Sequence, residues 1–473
     1  MAIVRTFKIF PCVCFLTLVL GVVVQAQTFT TLVNFDGTHG AVPMASLIQG
    51  VDGALYGTTF YGGHNACSGQ KGCGTVFRVT TRGSLGIFGL KSQQGTNPAT
   101  PLLLGTDGNF YGTTSTGGAY GYGTIFKIST AGVTTLHDFC ADQNGCADGS
   151  APNGLVQGFD GNFYGTTANG ANAACTAGCG TVFKITPSGG FSTLYQFSGL
   201  DGDHPMGRLV QNQDGSFYGA TLQGGQWGAG SIFDITVAGA LTNLHTFEES
   251  DGAFPYGGVI LVSDGNFYGT TYSGGPNGDG TIFRMSPSGQ FATLHYFSAG
   301  FSLAYSELVE GTDHSLYGTT YYGGDQSCGH GAGCGAIYRL SLDGTLSILH
   351  NFEVSDGKYP ITGVVQATNG IFYGTVPGGG GNNDGTIYSL SVGLGPFVTF
   401  VRNAAKPGSL AGILGQGLTG TSAVSFNGMS SNFKVVSDTL IEATVPSGAT
   451  TGYVTVTTPN GTLTSNKEFV VLK

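Results

Sequence analysis

Residues 160–167 read DGNFYGTT, and variants of that octet recur along the chain, centred on Tyr56, Tyr111, Tyr164, Tyr218, Tyr268, Tyr317 and Tyr373 at intervals of 55, 53, 54, 50, 49 and 56 residues. A fixed period of this length marks one repeated β unit, and a radial array of such units, about 40–50 residues each, is a β-propeller. Outward from the octet, the third repeat runs from Leu155 as LVQGFDGNFYGTT, a Gly-rich loop, GTVFKIT, PSGG and FSTLYQF. Four strands are expected: 155–158, a second carrying Phe163 and Tyr164, then 180–186 and 191–197, with Asp160-Gly161 as the first hairpin turn. The Asp-Gly or Asn-Gly turn returns at Asp52, Asp107, Asp214, Asp264 and Asn369, with Asp313-His314 as the exception. Calcium ligation is the competing use of these aspartates, but Asp-Gly between apolar runs is foremost a hairpin signal.

Gly follows the repeated Tyr in all seven copies. A missing side chain inside a strand permits close approach, so each Phe/Leu-Tyr pair reads as core between neighbouring units, with the Gly leaving room for a ring from next door. An aromatic platform for sugars is the alternative. Seven outer strands are candidates, at 30–35, 85–90, 135–139, 193–197, 243–247, 293–297 and 348–352, and the first precedes every repeat. The seventh repeat ends at 385–391 with no outer strand after it. TTLVNF is therefore expected to pair beside GTIYSLS, closing a seven-bladed ring and removing an exposed edge.

The 473 residues include 84 Gly, with 11% aromatic and only 9% charged, which suits many short strands joined by tight turns. Net charge is −10 without clustered Lys or Arg, which argues against a nucleic-acid partner. Arg5 and Lys8, an apolar run from Val13 to Val24 and the small residue Ala26 read as a signal peptide over residues 1–26. The apolar run is short for a membrane anchor of roughly 20 residues, so an exported chain with no transmembrane segment after cleavage is expected. Cys12 and Cys14 leave with that segment. The remaining eight cysteines form close pairs, Cys67 with Cys73, Cys140 with Cys146, Cys175 with Cys179 and Cys328 with Cys334. Local pairs on an exported chain imply disulfides; zinc would need four converging ligands, and these pairs lie far apart in sequence. No metal and no cofactor is expected.

After about Pro396 the repeat stops, and short alternating strands fill residues 396–473, enough for one immunoglobulin-like β-sandwich. Val424-Ser425-Phe426-Asn427-Gly428, Ser437 to Pro446 and Gly448 to Gly452 resemble the IPT/TIG family, with Leu418 standing where an aromatic is usual. The resemblance implies an Ig-like module found on extracellular receptors and in secreted carbohydrate-processing proteins. The repeats, fullest at 107–139 and 264–297, resemble the GloVer tandem repeat of the bacterial "choice-of-anchor" proteins over residues 28–392. That family is defined by its repeats and varied C-terminal anchors and carries no assigned chemistry. Neither a terminal apolar helix nor a sorting signal is read here, so the anchor is expected to be absent or replaced by the Ig-like module.

The expected organisation is thus a signal peptide (1–26), an all-β seven-bladed propeller (27–392) closed by an N-terminal strand, and an Ig-like domain (396–473). In propeller geometry all four cysteine pairs fall in loops on one face, opposite the uniform Asp-Gly turns. Variable, stapled loops on a rigid scaffold suggest a binding surface; simple loop stabilisation is the plainer alternative. The same loops carry Asp-Gly-x-x-Pro at 148–152, 201–205, 251–255 and 356–360. Candidate binding residues there are Trp227, His204, Phe254, Tyr359, Asp251 and Asp356, a possible stacking surface for a sugar with acids nearby. Catalysis finds little support: no nucleophile elbow or HExxH occurs, and the histidines of the TLHxF strands recur with the repeat, as packing residues do. On the inner strands, the position three before the turn reads Gln49, Leu104, Gln157, Gln211, Leu261, Glu310 and Gln366, so Glu310, with Glu307 close by, is the weak catalytic candidate. The expected function is a secreted or cell-surface binding protein for a glycan or a surface protein. A glycan-active hydrolase or lyase using Glu307 or Glu310, or a structural envelope component, are the alternatives.

Overall fold

The computed structural model describes residues 27–473 except 66, 68–70, 143–144, 172, 299, 327 and 329–330. The expected signal segment lies outside the described residues. Regular structure is almost wholly β, the one helical element described being a 3-10 turn at Ser92–Gln94. No helix among the described residues is long and apolar enough to cross a membrane.

Seven antiparallel sheets of four or five strands, with a two-stranded one formed by Phe301–Ser302 and Tyr322–Gly323, follow one another over residues 28–391, none closed into a barrel. In the first, Ile48–Gln49, Leu55–Thr59, Thr75–Val79 and Leu85–Gly89 pair in chain order. The seventh takes three strands from its own repeat, Val365–Gln366, Phe372–Val376 and Thr386–Ser391, and its fourth is Thr28–Asn34 from the start of the chain. That strand runs antiparallel, with Thr30 opposite Ser389 and Asn34 opposite Thr386. Phe29 also stacks on His350 of the sixth sheet at 3.6 Å, as Phe191 stacks on His137 at 3.9 Å and Phe291 on His245 at 3.8 Å. The repeated histidine is thus a contact between sheets.

Neighbouring sheets are joined by the repeated aromatic pair. Tyr56 packs on Phe110, Tyr111 on Phe163, Tyr164 on Phe217, Tyr218 on Phe267 and Tyr317 on Phe372, with ring centroids 4.1–4.3 Å apart. Such pairs add stabilisation beyond the area they bury. Several of the repeated tyrosines keep their hydroxyls paired: Tyr111, Tyr164 and Tyr268 donate at 2.7–2.9 Å to Asp107, Asp160 and Asp264, the aspartates of their own hairpin turns. The same carboxylates accept the backbone N–H two residues on, so one residue serves both the turn and the core.

The glycine after the Tyr has a different neighbour from the one expected. A Cβ at Gly165 would lie 2.6 Å from the ring of Phe183, its directly opposed residue on the third strand of the same sheet. The room is made within a sheet because the non-bulged ladder sets Gly165 face to face with a ring that must lean across it. The sixth sheet shows the converse: Thr320 lies opposite Ala336, where other sheets hold a paired Thr or Ser hydroxyl, and its Oγ1 is left buried without a partner.

A second joint lies on the inner strands. Gln157 accepts the Thr106 N–H at 3.0 Å, Gln211 that of Phe159 at 2.8 Å, Gln366 that of Thr312 at 2.9 Å, and Gln49 that of Thr368 at 2.9 Å. Each reaches the preceding sheet, and Gln49 reaches from the first sheet to the seventh. Glu310 holds the same place, accepting from the Ser263 N–H at 3.0 Å and from the Ser263 hydroxyl.

Residues 398–471 form two four-stranded antiparallel sheets and one parallel pair, Ala404–Ala405 with Val470–Val471. They enclose a core that includes Ile413, Val424, Phe426, Ile441, Val456 and Phe469, and Leu418 is fully buried in it. This C-terminal part meets the hairpin-turn end of the repeated sheets: Thr439 donates to the Val51 carbonyl at 2.7 Å, Arg402 to Gly158 at 3.3 Å and Gln213 to Glu468 at 3.3 Å.

Gly165→Ala should cost about 1–3 kcal/mol in denaturant unfolding, partly restored by Phe183→Leu; an unchanged midpoint would contradict the clash. Partial burial pushes the Asp107 carboxyl up, but Lys127, Asn109 and Tyr111 outweigh it and bring its pKa down to about 2. This stabilisation is present above the ordinary carboxylate range and is lost as pH falls through about 2. The stability gap between native chain and Asp107→Asn, followed by urea midpoints, should therefore shrink between about pH 4 and 2.

Candidate functional site

Four disulfides are present, Cys67–Cys73, Cys140–Cys146, Cys175–Cys179 and Cys328–Cys334. Three lie between second and third strands and one leads into the third sheet, so all sit at the end of the sheets opposite the hairpin turns. The loops of Cys146 and Cys175 wall an open cleft of about 700 Å³. Among the described residues, the His, Cys, Asp or Glu groups close enough to share an ion are Cys140, Asp142 and Cys146, and Cys175, Cys179 and Asp203. In both, the sulfurs are oxidised and offer no thiolate.

His204, Phe254 and Tyr359 occupy one and the same repeat position. Each precedes a proline, has φ of +53°, +58° and +62°, and donates its N–H to the preceding sheet, at Cys179, Ala229 and Cys334. The left-handed backbone swings the chain into the next inner strand, and the following proline packs against a glycine of the previous sheet, as Pro205 does on Gly180. Asp251 and Asp356 are committed within their turns: they accept from the backbone of Glu248 and Glu353 and pair with His245 and His350 at 3.0 and 2.9 Å. Trp227 stands 57% exposed in the loop between the second and third strands of the fourth sheet. These six residues share an end of the molecule, but the contacts do not gather them into one site.

Two cavities meet at the inner strands. The one on the hairpin side, about 530 Å³, is lined by Gln157, Gln211, Arg208, Glu307 and Glu310 and by Tyr453, Lys467 and Glu468 of the C-terminal part. Both sequence-picked glutamates therefore face it. Arg208 donates through one nitrogen to both oxygens of Glu307, at 2.9 and 3.1 Å. The pair runs from the fourth sheet to the sixth across Gly257, where a Cβ would strike the Ser306 carbonyl. The Nε–H of Arg208 is buried with no protein acceptor. Lys467 reaches in from the C-terminal part and still meets water. Desolvation by the surrounding protein, then the Arg208 charge, pull its ammonium below the ordinary lysine pKa, against the opposing effect of Glu310 and Glu307.

The second cavity, about 310 Å³, opens at the disulfide-bearing end and shares Arg208 and Glu307 with the first. Each sheet contributes to its rim the residue at one repeat position: Met44, Ala99, Asn153, Met206, Tyr256, Tyr305 and Ile361. The two tyrosines extend into a continuous aromatic group absent from the other sheets. Tyr305 contacts Tyr256, Tyr272 and Tyr321 at 4.8–5.3 Å, and Tyr321 contacts Tyr322 and Tyr359 at 4.8 and 4.9 Å. All six are half-buried. Burial raises the Tyr256 phenol, and burial with the adjacent Tyr272 raises that of Tyr305, so both remain protonated donors at neutral pH. Of this group only Tyr359 was legible as a candidate. The missed signal is a departure from the repeat: the residue after Gly-Thr-Thr is Tyr only at Tyr272 and Tyr321.

The arrangement offers a rigid, mixed aromatic and polar pocket with a charge-balanced floor. No curated protein sequence matches the chain. The structure is similar to that of a fungal alcohol oxidase of the AA5 family in complex with copper, with TM-score 0.53 and 13% identity over 94% of this chain and 99% of that one. A gluconolactonase from Xanthomonas campestris aligns with TM-score 0.39 and 13% identity over 63% of this chain and 88% of that one. The first likeness concerns the fold alone. Copper belongs to that oxidase; among the described residues here, no group of three His, Cys, Asp or Glu ligands forms at the central cavities. The model of the Gloeobacter/Verrucomicrobia repeat matches residues 19–147 and 140–332, more than half of the sequence, and the chain belongs to that repeat family.

Proposed function

We propose that the chain is an exported binding protein: a seven-bladed β-propeller closed by its N-terminal strand, with an IPT/TIG-like immunoglobulin module over residues 396–473, recognising a glycan or a surface protein through the looped face. Seven consecutive units of four or five strands joined first to last support the propeller, as does the fold likeness to the AA5 oxidase. Two facing sheets around one core support the Ig-like module. Four disulfides support an oxidising, extracellular setting.

The observation that carries the reading is the occupancy of the two ends. The C-terminal part covers the hairpin turns and lines the hairpin-side cavity with Tyr453, Lys467 and Glu468. The looped end keeps an open pocket flanked by a continuous group of non-repeating tyrosines. Half-buried tyrosines on a rigid scaffold are well suited to recognition, since they bring contact area at little entropic cost.

A glycan array and a pull-down with the full chain should yield a ligand whose binding falls on Tyr321→Ala or Trp227→Ala and survives Thr439→Ala on the hairpin side. Binding that survives every looped-face change would remove the assignment. The second reading, a glycan-active enzyme, draws on Glu307 and Glu310 lining one cavity. Against it, Glu310 stands where four other sheets use glutamine as a joint. Glu310→Gln should leave thermal stability within about 1 kcal/mol of the native chain and leave glycan binding unchanged; loss of turnover on a polysaccharide panel with binding intact would favour the enzyme.

A further inference from the structure

Resting on the looped-face reading above, we infer that the pocket at that end takes a single neutral pyranose ring, the terminal sugar of a glycan, stacked on Tyr256 and Tyr305 with its hydroxyls read by the Arg208–Glu307 pair.

Size comes first. About 310 Å³ is at the lower limit of small-molecule sites, roughly 300–1,000 Å³, and suits one ring rather than an oligosaccharide groove. The rim is built from one segment of each of the seven sheets, which leaves no elongated trough for an extended peptide. The wall chemistry is next. Tyr256 and Tyr305 meet edge to face at 5.2 Å, so one ring presents its flat side where the other presents its edge, an arrangement that can cover the C–H face of a pyranose. Both phenols stay protonated and can donate at the rim.

The floor decides the charge of the ligand. The Arg208 cation is already met by both oxygens of Glu307, 2.9 and 3.1 Å away, and Lys467 and Glu310 line the hairpin-side cavity, not this pocket. Among the described residues lining this pocket Arg208 is the one cation and Glu307 the one acid, so a uronate or sialate carboxylate would find no unmatched cation and would place a second anion beside Glu307 at high desolvation cost. A neutral vicinal diol adds no charge: it can donate to the remaining lone pairs of Glu307 and accept from the guanidinium fork. Gly257 and Gly154 keep the space above the pair open, since a Cβ at either would strike Ser306 or the Arg208 stem.

The test uses the full chain on an array of glycans ending in glucose, galactose, mannose, glucuronic acid or sialic acid, followed by calorimetry with the methyl glycoside of the best terminal sugar. Signals on neutral termini are expected, with affinity falling at least about tenfold in Tyr256→Ala and in Tyr305→Ala and changing less than about threefold in Tyr256→Phe. Saturation-transfer NMR on the unaltered chain should show the C–H protons of one ring face closest to protein, a readout that holds even if an alanine variant misfolds. Binding confined to acid-terminated glycans would overturn the neutral class. Neutral binding unaffected by both alanine variants, with unchanged melting curves, would overturn the site while leaving the binding reading intact. An empty array beside a protein captured through the looped face would overturn the sugar; an empty array and an empty pull-down would overturn both.

Discussion

Everything in the repeated part depends on each sheet having a neighbour on both faces. A strand such as Phe163–Asn169 is apolar on both sides: Tyr164 packs outward onto Phe217 of the next sheet while Phe163 receives Tyr111 from the one before. A sheet of that kind at an open end would leave one row of aromatic rings in water. The array is stable only because its last member meets its first, through Gln49 on Thr368, Tyr373 in the same core as Leu55, and the borrowed strand Thr28–Asn34.

That closed arrangement separates two ends with different freedoms. At the hairpin end most turns keep an aspartate that is spent twice, on its own turn and on a buried tyrosine hydroxyl, as at Asp107, Asp160 and Asp264. Such turns give the C-terminal sheets a regular surface to sit on. At the other end the connections vary in length and several are held by local disulfides, which gives side chains there room to depart from the repeat. The Arg208–Glu307 pair lies where the two regimes meet, reaching past a sheet that supplies glycines instead of side chains.

Much of the fold was readable from the order of residues. The phase of the Tyr-Gly octets located every second strand, and TTLVNF pairs beside GTIYSLS as its position outside the repeats implied. The cysteine pairs form, and the TLHxF histidines stack between sheets. The glycine after the Tyr was placed correctly but given the wrong neighbour, since register within a sheet, not packing between sheets, sets what faces it. The pocket was the least legible part. Tyr256, Tyr305 and Tyr321 are far apart in sequence and belong to two repeat positions, so no local motif joins them; only their departure from the other copies marks them. The glutamine joints were visible as a column of like residues, but their partners are backbone N–H groups, which carry no sequence signal.

The borrowed strand also bears on time. Thr28–Asn34 is made among the first residues and finds its partner, Thr386–Ser391, only after all seven repeats exist. Until then the array has an unpaired strand at each end and its highest-separation contact unmade, the situation in which folding is slow and strand edges are open to other chains. Assembly of the repeated array is therefore gated by its first and last strands, and removing Thr28–Asn34 should act as a kinetic lesion on all the repeated sheets, out of proportion to the contacts it deletes.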